Sequence, residues 1–389
     1  MIPGLAVALC VTACGDDSGT DEAQVPVVEE FEWALPQGFP VPKVPEDNPM
    51  SQAKVDLGRH LFYDKRLSGN ETFSCASCHL QEMAFTDGKA LAEGSTGEVH
   101  PRGSMTLVNV AYNNTFTWAN NTIPDLEEQA IAPMFGEEPI VELGLKGREA
   151  EVEQRLADEP LYPQMFAKAF PGESNPINMV NVRKAISSFQ RVLISGNSPF
   201  DQFLYGGDVT AMSVEAQRGM RIFLSETVEC FHCHGGFNFA DSVTHEGKFF
   251  DETAFHNNGL YNLDGQGAYP EGNSGLFEVT GLEADMGRFK APTLRNIEVT
   301  APYMHDGSIA TLEEVIDHYA AGGRIIEEGP LAGDGTAHPN KSEFVSGFEV
   351  SERDKSDLVS FLKSLTDDDF LTNPAFSNPW TEGPNSIIE

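Results

Sequence analysis

The chain has 389 residues, 40% of them hydrophobic, and its 60 acidic against 25 basic side chains give a formal net charge of -35. That length exceeds one ordinary core and suits two domains of roughly 150 to 200 residues each. Such an acidic surface repels phosphate at every approach, which excludes a nucleic-acid partner and leaves a basic protein as the easier one. No apolar run reaches the ~20 residues of a membrane span, so a globular protein is expected.

The first stretch, MIPGLAVALCVTACGDDSGTDEAQ, is a short apolar run ending in small and acidic residues, the shape of an export signal. VTAC resembles a bacterial lipoprotein box, which makes Cys14 the expected lipid anchor. Residues 1–30 therefore read as signal and acidic tether, and the expected location is the periplasm or cell envelope. Beyond them, SQAKVDLGRHLFYDKRLSGNETFSCASCH and SVEAQRGMRIFLSETVECFHCH share one pattern: a helical stretch with a glycine before an apolar pair, a short loop, then a cysteine cluster. Each half closes on an amphipathic helix. The first, VRKAISSFQRVLIS, gathers Ala185, Ile186, Phe189, Val192 and Leu193 on one face; the second, SERDKSDLVSFLKSL, gathers Leu358, Phe361, Leu362 and Leu365. Glycine, serine, asparagine and aspartate interrupt the helical period over 195–208, placing the boundary there and giving domains over 31–200 and 201–389. The Gly/Asn/Pro-rich stretch over about 235–290 reads as ordered loop. Few segments alternate as strands do, so the expected fold is mostly α with little β.

Of the six cysteines, Cys10 and Cys14 fall in the leader and the other four form two C-x-x-C-H units, Cys75, Cys78, His79 and Cys230, Cys233, His234. This is the attachment signature of c-type haem, in which the thiols bond the vinyl groups and the histidine supplies the proximal nitrogen to iron. A zinc site or a pair of redox dithiols would use the same residue types, but neither explains a histidine directly after each second cysteine. Two covalently bound haem c groups follow, on two cytochrome c-like domains with a pseudo-twofold relation. Such attachment takes place outside the bacterial cytoplasm, in agreement with the leader.

Residues 287–323, GRFKAPTLRNIEVTAPYMHDGSIATLEEVIDHYAAGG, resemble the signature segment of the bacterial di-haem cytochrome c peroxidase and MauG superfamily. Within it, QAIAPMFGEEPIVELG, HPRGSMTLVNVAYN and FSNPW are most similar to the MbnH-like MauG branch, whose type member oxidises a tryptophan on the protein MbnP. The resemblance implies that the first haem meets hydrogen peroxide and that a glutamate after a Gln-x-x-x-Pro stretch moves the proton. Gln129 and Pro133 match that stretch, and Glu142 matches the glutamate across a three-residue insertion that also brings Glu137 and Glu138 near. It further implies Trp118 as the carrier between the haems, Arg295 at a haem propionate and His305 near the inter-haem region. A calcium ion is implied at the carbonyls of Thr300 and Pro302, although Gly103 stands where the family has an asparagine. His100 lies off the position of the family's blocking histidine and reads as a loop residue, which leaves the first haem open.

In TLEEVIDHYAAGG, Thr311 and Glu314 form a capping box, and Leu312, Val315, Ile316 and Tyr319 share the inward face, with His318 on the other. By the resemblance, Tyr319 falls where MauG has its tyrosine ligand and where the peroxidases proper have methionine. Phenolate favours ferric and higher states, so the implied enzyme holds both oxidising equivalents in a high-valent di-haem state and oxidises a partner protein, tryptophan foremost. The alternative is a di-haem cytochrome c peroxidase that reduces peroxide with electrons from a small cytochrome or cupredoxin. A non-enzymatic electron carrier would need both haems six-coordinate.

Overall fold

The computed structural model describes residues 31–251 and 253–380, so the lipobox at Cys14 and the acidic tether over 1–30 lie outside the described residues. From Phe31 onward the described chain packs as one unit, mostly helical. Its only paired strands among the described residues are two-residue pieces, β1 (Ile325–Ile326) and β2 (Gly333–Asp334), antiparallel with Ile325 opposite Asp334.

Five helices position the sites: α1 (Gln52–Phe62), α2 (Met179–Arg191), α3 (Val214–Phe223), α4 (Leu312–Ala320) and α5 (Glu352–Lys363). Each starts where a Ser, Asn or Thr side chain accepts the backbone N–H three residues on: Ser51, Asn178, Ser213, Thr311 and Ser351. On α4 the Thr311–Glu314 capping box is present.

α1 packs on α2, and α3 on α5, through the same device. A Cβ on Gly58 would sit 1.9 Å from the Ala185 carbonyl oxygen and 3.0 Å from Phe189 Cβ; one on Gly219 would sit 1.9 Å from the Asp357 oxygen and 2.8 Å from Phe361 Cβ. Only glycine allows the two backbones so close. Leu57, Leu61, Phe62, Ala185, Ile186 and Phe189 then fill a first core, and Phe223, Leu358, Phe361 and Leu362 a second.

The two halves repeat beyond these helices. Asn109 and Asn296 both adopt the left-handed conformation, with φ of 55° and 59°, which asparagine tolerates better than most residues. Asn109 donates its N–H to the Leu193 carbonyl and accepts from Ser195 N; Asn296 donates to the Leu365 carbonyl and accepts from Asp367 N. The halves meet there, because Ser195 Oγ donates to Asp367 Oδ2 at 3.0 Å and accepts from Asn296 Nδ2 at 3.0 Å, all buried.

Two features depart from the sequence reading. The stretch over 195–208, read as an interruption, contains a short helix, Pro199–Leu204, started by a Ser198–Asp201 capping box. The end of the described chain returns to the first half: Phe370 belongs to the first core, Arg59 holds the Ser377 and Pro374 carbonyls, and Trp380 Nε1 donates to the His60 carbonyl.

Candidate active site

Both C-x-x-C-H units sit on short 3₁₀ turns, Cys75–Ser77 and Cys230–His232, and none of the four thiols is in a disulfide. Burial pushes Cys75, Cys78 and Cys230 up to about 12, so they stand as neutral thiols. The histidines are fixed identically. His79 Nδ1 lies 2.7 Å from the Phe85 carbonyl oxygen, and His234 Nδ1 lies 3.1 Å from that of Phe239. Phe85 and Phe239 hold φ of 60° and 49°, a strained conformation for a bulky residue, and the strain turns their carbonyls toward the rings. Thr106 and Thr293 lock these loops by donating to the Ala84 and Asn238 carbonyls, each at 2.6 Å. Nδ1 donates, so Nε2 presents its lone pair, and burial lowers both imidazole pKa values, which keeps the rings neutral. Neutral imidazoles anchored through Nδ1 beside two unbridged cysteines fit c-type haem.

At the second unit, Cys230, Cys233 and His234 line a largely apolar cavity together with Leu312, Val315, Ile316 and Tyr319 of α4. Burial raises the Tyr319 phenol to about 12. His318 is turned away, its Nε2 3.0 Å from the Asn258 carbonyl oxygen. Two basic side chains stand on the cavity wall that sequence reading missed. Lys290 Nζ donates to the Thr115 carbonyl at 2.9 Å and burial pulls its pKa down to about 7; His256 Nε2 lies 2.5 Å from Asp241 Oδ2. A lone lysine between Phe289 and Ala291 was the available signal for the first. Arg295, expected at a propionate, is absent from this wall. Its guanidinium meets both Asp201 oxygens at 2.8 and 2.9 Å and the Phe237 carbonyl, because a carboxylate buried as deeply as Asp201 requires a counter-charge.

Around the first unit, the loop that carries Glu142 is closed at its base by Leu143 N donating to the Pro133 carbonyl at 3.0 Å and Leu145 N to that of Met134 at 2.9 Å. Pro133 and Glu142 are thus brought together, with Gln129 one helical turn earlier at the end of Leu126–Gln129. Ser95 N donates to the Glu142 carbonyl, and Cys78 Sγ lies 3.8 Å from the Glu93 carbonyl oxygen on the same neighbouring loop. Burial raises the Glu142 pKa, and its charge in turn raises the Cys75 and Cys78 thiols. Glu137 pairs with Lys146 on the surface and Glu138 is exposed. His100 is occupied in its own loop, where Nδ1 accepts from Arg102 N at 3.0 Å.

A second, smaller cavity is lined by Thr86, Asp87, Gly103, Thr300, Pro302 and Tyr303, and Trp118 stands on the walls of both cavities. Trp118 Nε1 donates to the Gly103 carbonyl at 2.9 Å, and Gly103 N donates to the His305 carbonyl at 2.9 Å. The His305 ring stacks on Phe289 at 3.7 Å, its Nε2 has no partner, and burial pushes its pKa down to about 4.

The pattern of the family described as di-haem cytochrome c peroxidase matches residues 52–209. The chain is 33% identical to cytochrome-c peroxidase IdrP1 of a Pseudomonas species, over 94% of this chain and 91% of that protein. It is also 33% identical to the methylamine utilization protein MauG of Methylorubrum extorquens, over 92% of this chain and 90% of MauG. A crystal structure of a MauG-like protein associated with microbial copper homeostasis superposes with a TM-score of 0.88 at 48% identity, covering 90% of this chain and 99% of that one. With one haem-binding motif in each of its repeated halves, this chain belongs to the di-haem cytochrome c peroxidase and MauG family of haem oxidoreductases.

Proposed function

We propose that the enzyme takes hydrogen peroxide at the His79 haem site and uses its oxidising power on a residue, tryptophan foremost, of a partner protein of the MbnP kind. The observation that carries this reading is Tyr319 on the wall of the cavity that holds Cys230, Cys233 and His234. Haem c, when bound, supplies the iron chemistry that splits the peroxide bond. His79 and His234 would hold the two irons through Nε2, and Tyr319 would hold the second as phenolate, a cation lowering the phenol pKa that burial alone raises. Glu142 would take the proton from one peroxide oxygen and return it to the other, with Gln129 and Pro133 setting its loop. Trp118, on both cavity walls, would pass electrons between the sites. Lys290 and His256, the basic side chains on this cavity wall beside His234, would be the ones offered to propionates while Arg295 stays paired with Asp201.

The 48% identity to a MauG-like protein supports the same branch. A calcium ion belongs to the same proposal: the Thr300–Pro302 turn lines the second cavity together with the Asp87 carboxylate, although Gly103 brings no side-chain oxygen there. Action in the periplasm or cell envelope, with a lipid at Cys14, belongs to the same proposal; no helix among the described residues is long and apolar enough to cross a membrane. A second reading, a cytochrome c peroxidase fed by a small cytochrome or cupredoxin, is favoured by the kinship to IdrP1 and by the net charge of -35, which would attract a basic donor.

The test adds peroxide to the fully ferric holoenzyme with no electron donor and follows the visible and near-infrared spectrum, alongside Tyr319→Met. The MauG-like reading expects an oxidised species to form without a donor in the wild type and none in the variant. Reaction only after half-reduction would establish the second reading instead.

A further inference from the structure

We propose that Tyr261, reached through Tyr269, is a redox-active tyrosine that receives an oxidising equivalent from the second haem site when no partner is docked, with Asp306 as its proton acceptor. The proposal rests on the peroxide reading above. Phe289 forms part of the cavity wall beside His305; the Tyr269 ring lies 6.3 Å from Phe289, and the Tyr261 ring 5.6 Å from Tyr269. These steps are contacts between aromatic rings, and both tyrosines are buried, at 3% and 7% exposure for Tyr261 and Tyr269.

Oxidising a phenol requires its proton to leave, so the hydrogen-bond acceptor decides which tyrosine can hold the charge. Tyr261 donates to Asp306 Oδ2 at 2.6 Å, the short distance of a bond to an ionised carboxylate. Tyr269 donates to the Asn257 side-chain oxygen at 3.3 Å, an amide that cannot take a proton. The hole therefore passes Tyr269 and settles on Tyr261. Tyr63, Tyr112 and Tyr303 donate to main-chain carbonyls, which are no better as bases. Tyr162 does donate to a carboxylate, Asp64, at 2.6 Å, but Arg66 holds that carboxylate and the ring neighbours Phe166 and Trp380 line neither cavity.

In the step, one electron leaves the Tyr261 ring for the peroxide-oxidised haem centre, the O–H bond breaks, and the proton moves to Asp306. The products are a neutral phenoxyl radical and a protonated carboxyl, and one electron from an external reductant with the same proton restores the pair. Hydrogen peroxide is the oxidant.

The experiment treats ferric holoenzyme with peroxide, without partner, and reads freeze-quench electron paramagnetic resonance beside the optical spectrum for the wild type, Tyr261→Phe, Tyr269→Phe, Asp306→Asn and Tyr162→Phe. The expected result is a tyrosyl signal, narrowed by ring-deuterated tyrosine, that is lost in Tyr261→Phe, lost or delayed in Tyr269→Phe and Asp306→Asn, and retained in Tyr162→Phe. Peptide mass spectrometry of the wild type after repeated peroxide additions should place ring oxidation on Tyr261 first, a readout that no misfolded variant can confuse. Haem bands that respond to peroxide with no tyrosyl signal, or with one that survives in Tyr261→Phe, overturn the relay and leave the peroxide reading standing. Haem bands that do not respond overturn both.

Discussion

The two haem-binding halves hold their motif histidines in the same way and differ in what faces them. Each half has a glycine-mediated helix crossing, a left-handed phenylalanine whose carbonyl orients the histidine, a threonine that locks that loop and a left-handed asparagine at the seam. Around the first motif, the chain supplies a loop with a half-buried carboxyl, Glu142; at the second it supplies a helix whose inward face ends in a phenol, Tyr319. A duplicated frame that fixes the proximal side leaves the distal side free to diverge, and the division of labour we propose, proton handling at the first site and charge storage at the second, would use that freedom.

The comparison can be broken most completely at the cysteines. Cys230→Ser with Cys233→Ser should cut covalent haem from two groups per chain to one, and Cys75→Ser with Cys78→Ser should remove the other, read by pyridine haemochrome absorbance and intact mass. Gly58→Ala and Gly219→Ala should each destabilise the fold by about 3 kcal/mol or more, because backbone stands where the methyl must go. Denaturant unfolding with haem retention per half would show whether each crossing serves its own site. Glu142→Gln should lower the rate of peroxide reaction about 100- to 10,000-fold while the second site keeps its ferric spectrum. A rate within tenfold of the wild type would remove Glu142 from proton transfer.

pH sharpens the same contrast. Burial raises the Glu142 pKa, so the folded protein binds a proton that the unfolded chain releases, and stability contributed this way is present at low pH and declines as pH rises through the ordinary carboxylate range toward the raised value. Glu142→Gln should therefore melt higher than the wild type near neutrality, with the gap closing below about pH 4. As a base, Glu142 must be ionised, so the peroxide rate should rise with pH through a value above the usual carboxylate range and lie flat in the variant. The smallest effect is expected from Trp118→Phe, which should leave the first reaction with peroxide unchanged and slow the appearance of oxidised second haem in stopped-flow spectra.

Much of this was legible in the sequence because it is local. The C-x-x-C-H units, the capping box at Thr311 and the inward face carrying Tyr319 are spacings of seven residues or fewer, and periodicity reads them directly. What escaped depends on contacts between distant segments. Arg295 and Asp201 are 94 positions apart, and no motif announces that their pairing withdraws the arginine from the cavity. The phenylalanine carbonyls that orient His79 and His234 are backbone features, invisible to side-chain patterns, and Gly103 joins Trp118 to His305 through main-chain atoms alone. The T-L-x-N segments at 106–109 and 293–296 did carry a signal, since they are the second part of the repeat.

The return of the last described stretch to the first core bears on how the protein is made. Phe370 completes packing around Phe85, and Gln81, two positions past His79, donates to the Phe370 and Asn373 carbonyls. The other buried side chains of that core come from residues 50–193, so synthesis, which runs from the N-terminus, delivers the Phe370 ring last. The loop just past His79 therefore gains its last contacts, the Phe370 ring on Phe85 and the two carbonyls on Gln81, only when this final stretch has been made.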